Sequence, residues 1–307
     1  VDVRMGDGRW MLFQVDTAYA GAPVLSTHYL ERGGGLFRGG VQRRFREITG
    51  TGRGSRRGEG EAVRAFLSRC TGCRAFTAGC TMRLASIGAV KDHHADLIVA
   101  PALALDGRMI DYESDVLVTH PLPHSPHILT MDYLLHRTPA MICPARGILR
   151  LRVPVFEQML IRPTMTLLPL ELSNGAPFIP MTIGNVNVRI IIDTGATAPL
   201  SLNASVAARI SHESDGQYKV VQSGVNGEKV CSDVKYATVL LHENLNMGRV
   251  QLLVNQTPVT DADGYAGMGL LRALDLWFEQ DGIGVRRSGL ETRDVPRALL
   301  QTGRCAF

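Results

Sequence analysis

The stretch Val188-Arg189-Ile190-Ile191-Ile192-Asp193-Thr194-Gly195-Ala196-Thr197-Ala198-Pro199-Leu200 decides how the rest of the chain is read. Its β-branched apolar run favours a buried strand. The run stops at an Asp, and a carboxylate delivered to the end of a buried strand is costly unless it is hydrogen-bonded or functional. The Gly two positions on suits a sharp or closely approached backbone. Asp and Gly also fill ordinary turns, so the flanks carry the weight here.

Working outward, the plan occurs twice. Met181 to Val188, followed by Arg189 to Ile192, reads as strand, turn and strand, running into Asp193-Thr194-Gly195. Near the start, Val3 to Val15 reads as a hairpin around Asp7-Gly8 and runs into Asp16-Thr17-Ala18. Downstream, Ile128-Leu129-Thr130-Met131 matches Tyr265-Ala266-Gly267-Met268. Each is followed by an apolar strand and a Gly-containing turn, Ala140 to Leu149 and Leu276 to Val285. A repeat of this length is weighed before any single motif.

The repeated Asp-Thr loops, each with an apolar-apolar-Gly type partner downstream, resemble the aspartic peptidases of the retropepsin and pepsin group. The resemblance implies a mainly β, bilobal fold, with two retropepsin-like β-barrel lobes around a central cleft. The lobes are expected at residues 1–152 and 170–307, joined by a proline-marked connection at 153–169 (Pro154, Pro163, Pro169). From Asp193 to Met268 is 75 positions and from Asp16 to Met131 is 115, so the first lobe is longer, with an insertion expected at about 53–92.

By the same resemblance Asp16 and Asp193 form the catalytic pair. Two carboxylates close enough to share one proton cannot both ionise, so they titrate as a unit and can hold a water between them. Thr17 and Thr194 would lock the loops through hydroxyl-backbone bonds, and Gly195 would let its backbone lie against carboxylate and substrate. Gly267 completes the second half's pattern. The first half departs from it: Ala18 and Tyr19 stand where the family has Gly and a small residue, and Thr130 stands where it has Gly. Flap hairpins are expected over each loop. Val220 to Val230, with Gly224 and the Asn226-Gly227 turn, is the second-half candidate; Ile48 to Gly52, around Gly50, is the first-half one. Asn203 to Ile210 reads as a short helix with an Asn cap.

Two functions follow. One is an endopeptidase acting on extended peptide or protein substrates through a water between Asp16 and Asp193, without a catalytic cofactor. The other is a catalytically inactive fold of this type, serving as a structural or binding subunit of a larger assembly. Asp16 and the complete second-half motif favour the first; Ala18, Tyr19, Thr130 and the insertion favour the second.

Composition sets outer bounds. The 307 residues are 45% hydrophobic and 20% charged, as in a globular protein with a sizeable core. Net charge is +4. Seven arginines between Arg38 and Arg57 read as a solvated basic loop in preference to an acidic-partner site. Scarce aromatics argue against nucleic-acid stacking. The longest apolar block, Leu97 to Leu105, contains Pro101 and is too short to span a membrane. The chain begins at Val1, as after removal of a leader or trimming of the chain, so a soluble, processed organellar protein is one expectation and the compartment stays unread.

Six cysteines do not show the even spacing of a secreted disulfide framework. Cys70-x2-Cys73 with Cys80 and His93 supplies four candidate ligands for a structural zinc. Only the first pair has the usual spacing, and a local disulfide or unliganded thiols are the preferred alternatives. His120, His124, His127 and His136 read as loop residues.

Overall fold

The computed structural model describes residues 2–4, 10–18, 24–26, 75–85, 90–100, 104–105, 108–109, 115–120, 127–135, 138–173, 176–211, 213–224, 228–255, 262–280 and 282–302. These are mainly β. They divide into two compact units. The first is Val1–Gln14, Ala22–Leu84 and Lys91–Leu129; the second is Val15–Gly21, Ala85–Val90 and Thr130–Phe307.

The first half supplies β1 (Asp2–Arg4), β2 (Trp10–Asp16), β3 (Val24–Ser26), β4 (Ala75–Ala85), β5 (Val90–Ala100), β6 (Ala104–Leu105), β7 (Arg108–Met109), β8 (Asp115–His120) and β9 (His127–Thr130). They form one sheet in the order β4-β5-β8-β3-β9-β2-β1-β6-β7. Strands β1 and β2 pair antiparallel, with Asp2 opposite Leu12, as the Asp7-Gly8 reading anticipates; the turn itself lies outside the described residues. His120 ends β8 and His127 opens β9, so neither is a loop residue; His124 and His136 lie outside the described residues.

The chain continues through α1 (Met131–Leu135), β10 (Ala140–Cys143), β11 (Ile148–Arg150), α2 (Val155–Ile161), β12 (Thr166–Pro169), β13 (Glu171–Ser173), β14 (Ala176–Ile183), β15 (Val186–Ile192), β16 (Leu200–Asn203) and α3 (Ala204–Ala207). It ends with β17 (Glu213–Ser223), β18 (Lys229–His242), β19 (Leu245–Asn255), β20 (Gly264–Ala266), α4 (Met268–Leu271), β21 (Leu274–Phe278), β22 (Gly282–Arg287) and β23 (Leu300–Thr302). A second nine-stranded sheet runs β13-β14-β15-β20-β16-β19-β18-β17-β23.

The two large sheets share a plan. Seven neighbours in the first, β4-β5-β8-β3-β9-β2-β1, match β17-β18-β19-β16-β20-β15-β14 in the second. Directions agree as well: β3 runs parallel to β8 and antiparallel to β9, and β16 runs parallel to β19 and antiparallel to β20. A short helix follows β9 and another follows β20. The repeat in the sequence is thus a repeat of topology. It also bears on the first half's extra length. The chain from Ser26 to Ala75 is far longer than its counterpart from Asn203 to Glu213, whereas β4 and β5 belong to the shared plan. Strand β4 lies within the expected 53–92 span and β5 begins at its end.

Strand β15 explains its own composition. It lies between antiparallel β14 and parallel β20, so Val188, Ile190, Ile191 and Ile192 are all buried. Ile190, Ile192, Leu200, Leu252 and Leu270 belong to one continuous core.

A five-stranded sheet, β11-β10-β21-β22-β12, joins hairpin β10–β11 to hairpin β21–β22. The junction is antiparallel, with Met141 opposite Trp277 and Ile142 opposite Leu276. Alternation gives this sheet two apolar faces. Ile142, Leu276 and Phe278 enter the main core, whereas Met141, Cys143, Val153, Met165 and Trp277 pack together on the other side against Ile161. The segment 153–169, read as a connection, is built into this sheet: it carries α2 and then β12, which pairs with β22. Asn203 does precede α3, but its side chain makes no cap bond; its Nδ2 donates to the Ala262 carbonyl at 2.6 Å instead, and the helix is only four residues long. Cys231 is disulfide-bonded and Cys143 is a buried free thiol. No helix among the described residues is long and apolar enough to cross a membrane.

Trp277 is completely buried and its indole N–H donates to Glu279. Trp277→Ala is expected to cost about 3–5 kcal/mol in denaturant unfolding; a loss below about 1 kcal/mol would mean the sheet's second face contributes little.

Candidate active site

The loops that end β2 and β15 both lie in the second unit. They are tied by four reciprocal hydrogen bonds. Thr17 Oγ1 donates to the Ile192 carbonyl at 2.6 Å and accepts from the Thr194 N–H at 3.2 Å. Thr194 Oγ1 donates to the Val15 carbonyl at 2.7 Å and accepts from the Thr17 N–H at 3.2 Å. Thr17 is fully buried and Thr194 nearly so. Each hydroxyl therefore donates and accepts at once, which a buried hydroxyl requires and which Val in its place would not supply.

Each Asp turns back on its own loop. Asp16 Oδ1 accepts from the Ala18 N–H at 3.1 Å. Asp193 Oδ1 accepts from the Gly195 and Ala196 N–H groups at 2.8 and 2.9 Å. Gly195 stands between the two acids. A Cβ at Gly195 would lie 2.5 Å from Asp16 Oδ2 and 2.7 Å from its Cγ, so the Asp16 carboxylate rests against the very residue whose N–H serves Asp193. The apolar cluster of Phe178, Ile191, Ala262 and Tyr265 borders both loops through Ala18 and Ala196. Burial raises the Asp193 carboxyl from 3.8 to about 6, against the lowering effect of the Ala196 and Gly195 donors.

The end of β20 supports the second loop from below. Asp193 N–H donates to Ala266 at 2.9 Å, Gly267 N–H to Pro199 at 3.1 Å and Met268 N–H to Ala196 at 2.8 Å. A Cβ at Gly267 would stand 2.4 Å from the Ala198 carbonyl oxygen, which leaves no room for a side chain. At the matching place in the first half, Thr130 is fully buried. Tyr19 lies outside the described residues.

Strands β17 and β18 form a long hairpin, closed at its far end by Gly224 N–H donating to Glu228 at 2.9 Å. Gly227 and Gly50 lie outside the described residues. By strand order the counterpart of β17–β18 is β4–β5. Cys70 and Cys73 also lie outside; Cys80 is in β4 and His93 in β5, with side chains outside the description.

One group escaped the sequence reading. Gln222 Oε1 accepts from Tyr265 at 2.9 Å and Ser201 at 3.2 Å, and its Nε2 donates to Ser232 at 2.6 Å and Asn255 at 2.8 Å. Ser232 also donates to Asn255 at 2.6 Å. Five strands thus meet through one half-buried carboxamide. Burial, with the charge of nearby Asp193, raises the Tyr265 hydroxyl well above its ordinary range. The available signal was a polar residue at an otherwise apolar position, as for Ser201 between Leu200 and Leu202.

Gln222→Leu is expected to cost about 1–3 kcal/mol and Tyr265→Phe about 1 kcal/mol in urea unfolding. Their double variant should lose less than the sum, because both disrupt one network; strict additivity would contradict that coupling. Asp193 yields a pH prediction. Its folded pKa of about 6 exceeds the unfolded 3.8, so the folded state holds the proton more tightly. Its contribution is full below about pH 4 and fades as pH rises through 6, by up to about 3 kcal/mol. Asp193→Asn should flatten that part of the stability profile, and an unchanged slope would assign it elsewhere.

Comparison with known proteins bears on the second half. A search of curated proteins finds no match. A solved retropepsin-like aspartic protease from Rickettsia conorii is similar at 18% identity over 39% of this chain and 90% of that one, with a TM-score of 0.33, too slight a likeness to carry an argument. Residues 179–272, from β14 through α4, match the family model described as Aspartyl protease, and this segment contains Asp193, Thr194, Gly195 and Gly267.

Proposed function

We propose that the chain is an aspartic endopeptidase, hydrolysing peptide bonds through a water held between Asp16 and Asp193. The observation that carries this reading is the reciprocal Thr17–Thr194 lock, which brings two Asp-terminated strands to one glycine. The matched family segment supports it. In this reading each half is one peptidase-like lobe, 1–152 and 170–307, and the β17–β18 hairpin around Gly224 and Gly227 is a flap over an extended peptide.

The raised Asp193 carboxyl is the group that holds the proton. Asp16, as carboxylate, takes a proton from water as the water oxygen bonds to the scissile carbonyl carbon. Asp193 gives its proton to the carbonyl oxygen, leaving a tetrahedral gem-diol. Collapse breaks the C–N bond, with a proton passing to the amine, and returns one proton to the pair. Thr17 and Thr194 hold the loops; Gly195 admits the Asp16 carboxylate. Catalysis needs no metal. A structural zinc on Cys70, Cys73, Cys80 and His93 is a separate proposal, tested by elemental analysis of the purified protein.

Ala18 opposite Gly195, and Thr130 opposite Gly267, favour a second reading: a catalytically inactive subunit with a structural or binding role in a larger assembly. Peptide-library cleavage separates the two. The endopeptidase reading expects cleavage at acidic pH, declining above about pH 6 as Asp193 loses its proton. Asp16→Asn and Asp193→Asn should each lower it at least about 100-fold. A folded wild type that cleaves nothing moves the assignment to the second reading.

A further inference from the structure

Helix α2 is turned inside out. At about 100° per residue, Val155, Phe156, Met159 and Leu160 fill one arc of roughly 140°, while Glu157, Gln158 and Ile161 fill the other. A surface helix normally buries its apolar arc. Here the polar arc faces the protein: Glu157 pairs with Arg150, and Gln158 Nε2 donates to the Val153 carbonyl at 2.7 Å. Ile161 packs on the five-stranded sheet. The apolar arc is exposed, at 71% for Val155, 65% for Phe156, 73% for Met159 and 72% for Leu160. Four large side chains so exposed present roughly 500 Å² of apolar surface, at the upper end of what a monomer shows without a use for it.

The rim is cationic on its outer side. Arg150, Arg152 and Arg162 flank the helix, Arg152 and Arg162 exposed and Arg150 half-buried, whereas Glu157 and Glu279, which pair with Arg150 and Arg162, are the more covered partners. We infer that α2 is a docking element for an anionic lipid surface, with Phe156, Met159, Val155 and Leu160 entering the interfacial layer and the arginines meeting headgroup phosphates. A second copy of the chain fits less well, because a two-fold contact of α2 with α2 would set arginine rim against arginine rim. The exposed area also falls below the roughly 800 Å² per partner of a specific protein interface. Partition into a bilayer has no such threshold; it grows with apolar area and with each arginine near anionic lipid.

The test is flotation of the full chain with phosphatidylcholine vesicles, with and without phosphatidylserine, beside light scattering for oligomeric state. The expected result is flotation with the serine-lipid vesicles, reduced roughly ten-fold without that lipid and in Phe156→Ser/Leu160→Ser. Arg152→Gln/Arg162→Gln should weaken the preference for anionic lipid. These residues are exposed, so matched melting curves will show that the variants fold. A wild type that remains with the unbound protein overturns the inference, and so does a Phe156→Ser/Leu160→Ser variant that floats equally well. If the wild type is also a dimer that this variant dissolves, the face belongs to a second copy. None of these outcomes depends on peptidase activity.

Discussion

Two threonine hydroxyls hold the site together. The chain carries Asp16 and Asp193 far apart in sequence, and each sits at the end of a strand whose next residue is Thr. Every hydroxyl is spent twice, on the opposite strand's carbonyl and on the opposite loop's N–H. The bonds are reciprocal, so neither loop can shift without orphaning groups in the other. Buried groups left unpaired are costly, which is why so small a contact can govern so much. The β20 end braces the second loop by backbone bonds, and the five-stranded sheet pairs β10, which follows α1, with β21, which follows α4.

Around that lock the two halves are unequal. Gly195 has no side chain to obstruct Asp16, and Gly267 none to obstruct the Ala198 carbonyl. Ala18 adds a methyl that joins the apolar cluster with Tyr265 and Phe178. Burial at the end of β15 is what raises the Asp193 carboxyl. The departures from symmetry are therefore packing features as well as losses from a motif.

Much of this was legible in the sequence because it is periodic or repeated. The Ile190-Ile191-Ile192 run announced a buried strand, and Asp7-Gly8 marked a hairpin by turn chemistry, with β1 and β2 paired antiparallel. The matching order of seven strands was implied by the twofold plan but not visible in it, since strand neighbours depend on contacts distant in sequence. The role of β4 was hidden for that reason: residues 75–85 fell within the expected insertion, yet β4 takes the place in the shared order that β17 has in the second sheet. Asn203 looked like a cap because Asn often is one, yet a carbonyl at Ala262 took its side chain. The Gln222 network was hidden because satisfaction of a polar group is a property of five strands at once. The inversion of α2 was hidden too, since periodicity gives an apolar arc without saying which way it faces.

The joining of hairpin β10–β11 to hairpin β21–β22 within one polypeptide has a kinetic consequence. Where two such halves are separate molecules, their union is bimolecular and fades on dilution. Here Met141 meets Trp277 under a tether, so the encounter is first order and its effective concentration is fixed by the chain. Dilution cannot part Thr17 from Thr194. Each half is also free to change alone, since a substitution at Ala18 need not be mirrored at Gly195. Asymmetry around the paired loops is open to a tethered pair in a way that it is not to identical subunits.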